Sequence, residues 1–316
     1  MVYIRNKKVK GIQYAYLVQS KWDQESNTSR QIIIKYLGRT SEIALDYIPP
    51  EYRDVPKIIA FISAYGPSQK ERERLTGRLQ KEMFNLLKEY SIDRLVSMYN
   101  QYSNLFSLSY FYDKLLKPIL YRIGDLWEKG ELDVATEHAC SNAASSMIKV
   151  INEKLSHKNN KMIVARPSST SASLSAKYKI IVCTPEGELH NLACSIMESL
   201  LISKGYSVYN ISPSVPASSI ISYIDGIEPD MVFVSVTLKD NIKTVERLID
   251  QIHSRYDGSR LPVVLGGAAL SDLSIIQSSG YAKEHDIFLM QNASFAEIVN
   301  LIEHSVNTGR RLHTRW

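Results

Sequence analysis

The sequence predicts an α/β protein in three parts. A five-stranded, doubly wound parallel sheet fills the carboxyl-terminal half, a bundle of four or five helices precedes it, and a small antiparallel β module opens the chain. Three observations carry this. The apolar runs Lys179–Thr184, Met231–Ser235 and Leu261–Leu265 alternate with helical segments, as strands covered on both faces do. Residues 68–156 place apolar side chains at helical spacing. Residues 1–40 alternate at period two on either side of polar turns.

Within 1–40, Tyr14, Tyr16 and Val18 fall on one side of the run Ile12–Val18, and Ile32 and Ile34 alternate in the run Gln31–Leu37, with the polar turn Asp23–Ser29 between them. This reads as a meander of three strands. Its charge is one-sided. Arg5, Lys7, Lys8, Lys10, Lys21, Arg30, Lys35 and Arg39 face only Asp23 and Glu25, a net +6 in a chain whose total is +5, so the remainder carries −1. Basic side chains interleaved with Tyr3, Tyr14, Tyr16, Trp22 and Tyr36 suit phosphate contacts with stacking on bases. Surface lysines on a solubilising or protein-docking module are the other reading. The segment holding Tyr14-Ala-Tyr-Leu-Val, Trp22 and Tyr36-Leu-Gly38 is similar to the amino-terminal portion of some transposases, and no helix-turn-helix is evident.

Residues 41–67 read as a linker, marked by Ile48-Pro-Pro-Glu-Tyr and Tyr65-Gly-Pro-Ser. The bundle follows over 68–156, from Leu75, Leu79, Met83, Leu86 and Tyr90 to Leu105, Leu108, Phe111, Leu115, Ile119, Ile123 and Leu126. The small residues of Ala139–Ser146 permit close approach by another helix or by a broad planar ligand. A Ser- and Lys-rich linker, 157–177, is expected to let the bundle and the sheet domain move relative to one another. The sheet domain spans 178–308, with strands Tyr206–Asn210 and Asp286–Met290 and helices at Ala217–Ile227, Val245–Ser254 and Phe295–Val306. A basic tail, 309–316, ends the chain.

Three strand ends in the sheet domain carry polar or glycine motifs. After the first come Glu188, His190 and Ala193. After the next, with 41 residues between Ala193 and Ser235, come Ser235, Val236 and Thr237, and 28 residues separate Thr237 from Gly266-Gly267. In an open parallel sheet, ligands dock outside the carboxyl ends of the strands. A metal-bound imidazole commonly gives its second N–H to a carboxylate, a part Glu188 can play. On these residues alone, His190 is either a metal ligand or a solvated loop histidine.

At these residues the chain resembles the cobalamin-binding domains, whose pattern is Asp-x-His-x-x-Gly, then Ser-x-Leu or Ser-x-Thr, then Gly-Gly at about these intervals. The resemblance covers roughly 178–308 and implies a flavodoxin-like, Rossmann-like domain. It further implies that His190 ligates cobalt from below in place of the cofactor's benzimidazole, with Glu188 orienting it. Ser235 and Thr237 would line the slot for the displaced nucleotide tail, and Gly266 and Gly267 would let the tail approach the main chain. Glu188 stands where the family has Asp. Ala193 stands where it has Gly, at the entrance for the tail.

Trp127 is followed, after nine residues, by Glu137-His138. Taken alone, Trp127 reads as core and the pair as a solvated helix face that Asp133 caps. The spacing is similar to the helical domain that covers the upper cobalamin face in adenosylcobalamin-dependent light sensors of the CarH and LitR type. The resemblance implies that Trp127 packs over the adenosyl group with Glu137 and His138 close by. The prototypes place a histidine directly after the tryptophan; here it is Glu128, which leaves His138 as a substitute.

Together these resemblances imply a cobalamin-dependent sensor or regulator, a photoreceptor if light is its signal, with adenosylcobalamin or else methylcobalamin as cofactor. Cofactor state would control homo-oligomer assembly or DNA-binding through residues 1–40, as in transcription regulation. The alternatives are a corrinoid carrier of a methyltransferase system and a module that has lost its cofactor. No general acid–base pair or nucleophile arrangement is evident, so a self-contained enzyme is not expected. Cys140, Cys183 and Cys194 are few and odd in number, as suits a reducing cytoplasm. No apolar stretch is long enough to span a bilayer, and no membrane partner is expected.

Overall fold

The computed structural model describes residues 2–308 apart from 24–27, 44, 54, 66–68, 104–106, 166–177, 257–260, 272–286 and 291–292. Most of the polar turn after Asp23, the Gly-Pro-Ser of the first linker, the end of the second linker and the basic tail lie outside the described residues. The chain divides into two compact units, 1–140 and 141–316.

The first unit opens with β1 (Val2–Val9), β2 (Ile12–Asp23) and β3 (Thr28–Arg39), paired antiparallel in that order. One face of this sheet buries Ile4, Ala15, Leu17 and Leu37 against Ile43, Ile48 and Ile58. The described residues of 41–67, a segment expected as a linker, therefore fold onto the sheet as far as Tyr65. They form three short 3-10 turns and α1 (Pro56–Tyr65). The prolines that suggested an open connector start helical turns here: Pro50 and Pro56 hold first positions, where a missing N–H costs nothing. Lys35 Nζ donates to Tyr47 O at 2.8 Å and Arg53 Nε to Ile48 O at 2.9 Å, fastening the segment.

Then come α2 (Gln69–Lys88), α3 (Ile92–Tyr102) and a third rod made of α4 (Leu108–Tyr110), a π-helical turn (Phe111–Leu116) and α5 (Lys117–Glu128). Pro118 explains part of that rod. It offers no N–H to the carbonyl of Lys114, and Gln80 Nε2 from α2 donates to that carbonyl at 2.7 Å instead. The π turn buries Phe111, Tyr112, Leu115 and Leu116, so the irregular segment is also a packed one.

The long helix α6 (Val134–Ala165) begins at an Asp133 cap. Thr136 N and Thr136 Oγ1 donate to the two Asp133 carboxylate oxygens at 2.9 and 2.6 Å. Those bonds hold the Asp133 carboxyl below the usual carboxylate range. The helix continues through 157–165, the first part of the expected second linker. Nothing between Ser156 and Ala165 is Gly or Pro, and the first break is Pro167, which disfavours helix at the residue before it. Cys140, Ala143, Ala144, Met147, Ile148 and Ile151 are fully buried along one stripe of α6. Three of the small residues of Ala139–Ser146 thus lie on the buried stripe.

In the second unit, β4 (Lys179–Cys183), β5 (Ser207–Asn210), β6 (Met231–Ser235), β7 (Val263–Gly266) and β8 (Ile287–Leu289) form one parallel sheet in the order β5-β4-β6-β7-β8. This is the flavodoxin-like order, and its reversal lies between β4 and β6. The helices are α7 (Leu192–Ser203), α8 (Ala217–Ile227), α9 (Ile242–Tyr256) and α10 (Phe295–Thr308). Ile181, Val232, Val234 and Val263 form a core with Ile220, Ile224, Val245 and Ile249 from α8 and α9. The later part of α6 packs on α7: Ser199 Oγ is bonded to Asn152 Oδ1 and donates to Ser195 O at 3.1 Å. Among the described residues no helix is long and apolar enough to cross a membrane.

Candidate functional site

The loop from β4 to α7 carries the histidine motif, and it leaves the sheet at the topological switch point. Thr184 closes the strand: its Oγ1 donates to Glu188 O at 3.0 Å and accepts from Ser214 N at 2.8 Å. Gly187 makes the turn with φ +85°, a value glycine tolerates without strain.

Glu188 is fully buried, and every donor around it converges on the carboxylate. Oε1 accepts from His190 N at 3.0 Å and faces His190 Nδ1 at 2.6 Å. Oε2 accepts from Thr237 N at 2.8 Å, Leu238 N at 2.9 Å and Asn241 Nδ2 at 3.1 Å. Burial by itself would raise this carboxyl, but the N–H groups of Leu238, His190 and Thr237 outweigh it and hold Glu188 below the usual range. An ionised carboxylate only accepts, so His190 Nδ1 carries a hydrogen, and in the neutral ring the lone pair is then on Nε2. With the imidazole 56% exposed, Nε2 is the nitrogen open to a ligand. Among the described residues, no group of three or more His, Cys, Asp or Glu gathers to hold an ion. A bare cation would find a single nitrogen here, whereas a metal carried in a macrocycle brings its other donors with it.

Beside this loop, β6 ends in Ser235, whose Oγ is buried without a hydrogen-bond partner. An orphaned buried hydroxyl is costly unless a ligand satisfies it. Thr237 serves Glu188 through its main-chain N–H. Sequence reasoning missed Asn241, Leu238 and Thr184 as members of this network. Their contribution comes from where the loops lie in space, and no local pattern marks it.

The double glycine has a reason within the protein. A Cβ on Gly267, at φ +117°, would meet Val236 O at 2.0 Å, and one on Gly266 would meet the Phe233 ring at 3.2 Å. The close packing of the turn after β7 on β6 demands a glycine at 267 whatever the ligand, whereas at 266 only the Phe233 ring stands in the way. Ala193 lies in the first turn of α7, half-buried. The neighbouring thiols are sealed: Cys194 Sγ donates to Cys183 O at 3.4 Å, and burial pushes the Cys194 thiol up to about 12.

The other motif lies in the first unit. Trp127, near the end of α5, is 46% exposed. Glu137 and His138, in the first turns of α6, are bonded to each other at 2.6 Å between Glu137 Oε2 and His138 Nδ1, with His138 facing solvent. The half-exposed Trp127 and the solvent-facing His138 are open to contact, while the Glu137 side chain is largely covered.

A flavodoxin-like sheet with a carboxylate-held imidazole at its switch point is the form of a cobalamin-binding domain, and comparison with known proteins agrees. Residues 178–275 match a family described as B12 binding domain, and residues 79–152 match a second family of the same description. The chain carries cobalamin-binding domains. It is 28% identical to the methionine synthase of Mycobacterium tuberculosis over 97 residues, 31% of this chain and 8% of that protein. With the dimethylamine corrinoid protein 2 of Methanosarcina acetivorans it shares 20% identity over 191 residues, 60% of this chain and 82% of that one. With the HTH-type transcriptional repressor CarH of Myxococcus xanthus it shares 27% over 158 residues, 50% of this chain and 47% of that one. The chain thus spans less than a tenth of the methionine synthase. The monomethylamine corrinoid protein of Methanosarcina barkeri shares the fold, with a TM-score of 0.56 and 13% identity over 72% of this chain and 98% of that one.

Proposed function

We propose that the protein is a cobalamin-dependent regulator that takes adenosylcobalamin with its own benzimidazole displaced, His190 Nε2 serving as the lower cobalt ligand. The observation that carries the cofactor assignment is the buried Glu188, which fixes the imidazole by Nδ1 and leaves Nε2 open. Ser235 Oγ, buried and unpartnered, is suited to accept or donate to the nucleotide tail, and Trp127, Glu137 and His138 to contact the upper ligand. When bound, the cofactor supplies a cobalt–carbon bond that light or chemistry can cleave. The protein's share is to hold the cobalt from one side, exclude water from the tail and couple the state of the upper ligand to assembly or nucleic-acid binding. What favours a regulator is the strongly basic amino-terminal module, together with the match to CarH over half of this chain. A corrinoid carrier for methyl transfer is the second reading, favoured by the match along 82% of a dimethylamine corrinoid protein.

The test is the absorption spectrum of the protein mixed with adenosylcobalamin in darkness, freed of excess cofactor, then illuminated with green light. A retained, His-ligated, base-off spectrum that changes with light in a protein-specific way supports the regulator. Retention without that response, with remethylation of reduced cobalt by a methyl donor, supports the carrier. In His190→Ala the base-off, His-ligated form should be lost and affinity should fall at least tenfold; an unchanged spectrum defeats the ligand assignment.

A further inference from the structure

We propose that the open face of the amino-terminal sheet binds single-stranded nucleic acid, stacking bases on Tyr14, Tyr16 and Tyr36 while Arg5, Lys7 and Arg39 contact phosphates. This deepens the regulator reading, on which it rests for its purpose and not for its chemistry.

A three-stranded sheet has two faces, and α1 with its preceding turns covers one. On the other, the strand register sets Arg5 opposite Tyr16 and Lys7 opposite Tyr14, then Tyr14 opposite Arg39 and Tyr16 opposite Tyr36. Residues directly opposite one another share a face. Ring centroids lie 5.1 Å apart for Tyr16 and Tyr36 and 6.3 Å for Tyr14 and Tyr36, so the three rings make one platform. Gln31 of β3 reaches across β2 to bond both Arg5 and Tyr3 of β1, which fixes the side chains of this face in place. Tyr36 is 50% exposed, and Trp22 and Ile33 widen the uncovered apolar area.

Charge selects the partner. All eight basic side chains of residues 1–40 are exposed, against two acidic residues. An apolar, aromatic face inside a cationic rim fits a polyanion that carries flat apolar rings. The rings select a single strand, because bases in a duplex are already stacked on their neighbours. Shape agrees: the major groove admits a helix or a two-stranded ribbon, and three strands about 4.8 Å apart with their side chains are wider than that.

The experiment measures fluorescence anisotropy of labelled single-stranded DNA, single-stranded RNA and duplex DNA with the full chain, free of cofactor and loaded with adenosylcobalamin before and after illumination. Phosphatidylserine vesicles serve as the competing anionic surface. Single strands should bind at least tenfold tighter than duplex. Tyr36→Ala should weaken binding about tenfold through the lost stacking, while Tyr36→Phe keeps it. Lys7→Gln should flatten the dependence of log K on log salt by about 0.7, and Arg94→Gln, on the helical bundle, should change nothing. Circular dichroism of Tyr36→Ala confirms that the sheet persists. Equal affinity for duplex, vesicle binding indifferent to Tyr36→Ala, or absence of binding in every cofactor state each overturns the proposal. So does a dimer that Tyr36→Ala dissociates in a chain that binds no oligonucleotide. A light-responsive cobalamin spectrum with no strand binding defeats this inference alone. Strand binding that ignores cofactor state and the His190→Ala change leaves it standing and defeats the regulator.

Discussion

His190 is oriented by its neighbour, and the five donor contacts on Glu188 show why a carboxylate can be buried there. Removing it in Glu188→Ala strands the main-chain N–H groups of His190, Thr237 and Leu238 and the Asn241 amide. The expected cost is about 3 kcal/mol in chemical denaturation, and cobalamin affinity should fall roughly 10- to 100-fold as the imidazole loses its orienting partner. The pH dependence has a definite sign. Because folding lowers the Glu188 carboxyl, its contribution is fully present above the ordinary carboxylate range and is lost as pH falls through the depressed value. The difference in melting temperature between wild type and Glu188→Gln should therefore be full near neutrality and shrink on acidification; a difference that grows in acid contradicts this. The Glu-x-His pair was legible in the sequence because both partners share one loop. Asn241 was not, since its amide reaches Glu188 from 53 residues away and a Lys-Asp-Asn turn carries no signal of that reach.

Among the elements, the strands of the parallel sheet were the most legible, because burial on both faces leaves uninterrupted apolar runs with hydroxyls or glycines at their ends. Connectors were the least. Ile48-Pro-Pro and the start of 157–177 look like linkers by composition, yet the first packs under a sheet and the second continues α6 as far as Ala165; burial of Ile48 and the late position of Pro167 decide these cases. The π turn before α5 escaped notice for the same reason, since its anchor is a side chain on another helix. Gln80→Ala should leave the Lys114 carbonyl without its donor and cost about 1 kcal/mol, measured by denaturant unfolding. Gly266→Ala and Gly267→Ala should separate sharply. The first needs a small shift of the Phe233 ring, while the second drives a methyl into the Val236 main chain, and the second variant should fail to yield a stable sheet domain by thermal melting.

At the scale of the molecule, the chain joins a basic sheet module, a helical cobalamin domain and an α/β cobalamin domain, with α6 running from the Glu137-His138 pair into the second unit. A regulator built this way should change its assembly when the upper ligand is lost. Light scattering coupled to size-exclusion chromatography is expected to give different masses for the adenosylcobalamin form in darkness and after illumination; a single mass in both favours the carrier. The packing at the end of β7 bears on lineage. With Val236 O only 2.0 Å from where a Cβ would stand, position 267 is closed to every side chain whether or not cobalt is ever bound. Descendants that abandoned the cofactor would keep this glycine and be free to drift at 190. Gly267 thus belongs to the scaffold itself, and the imidazole to the cofactor proposed for it.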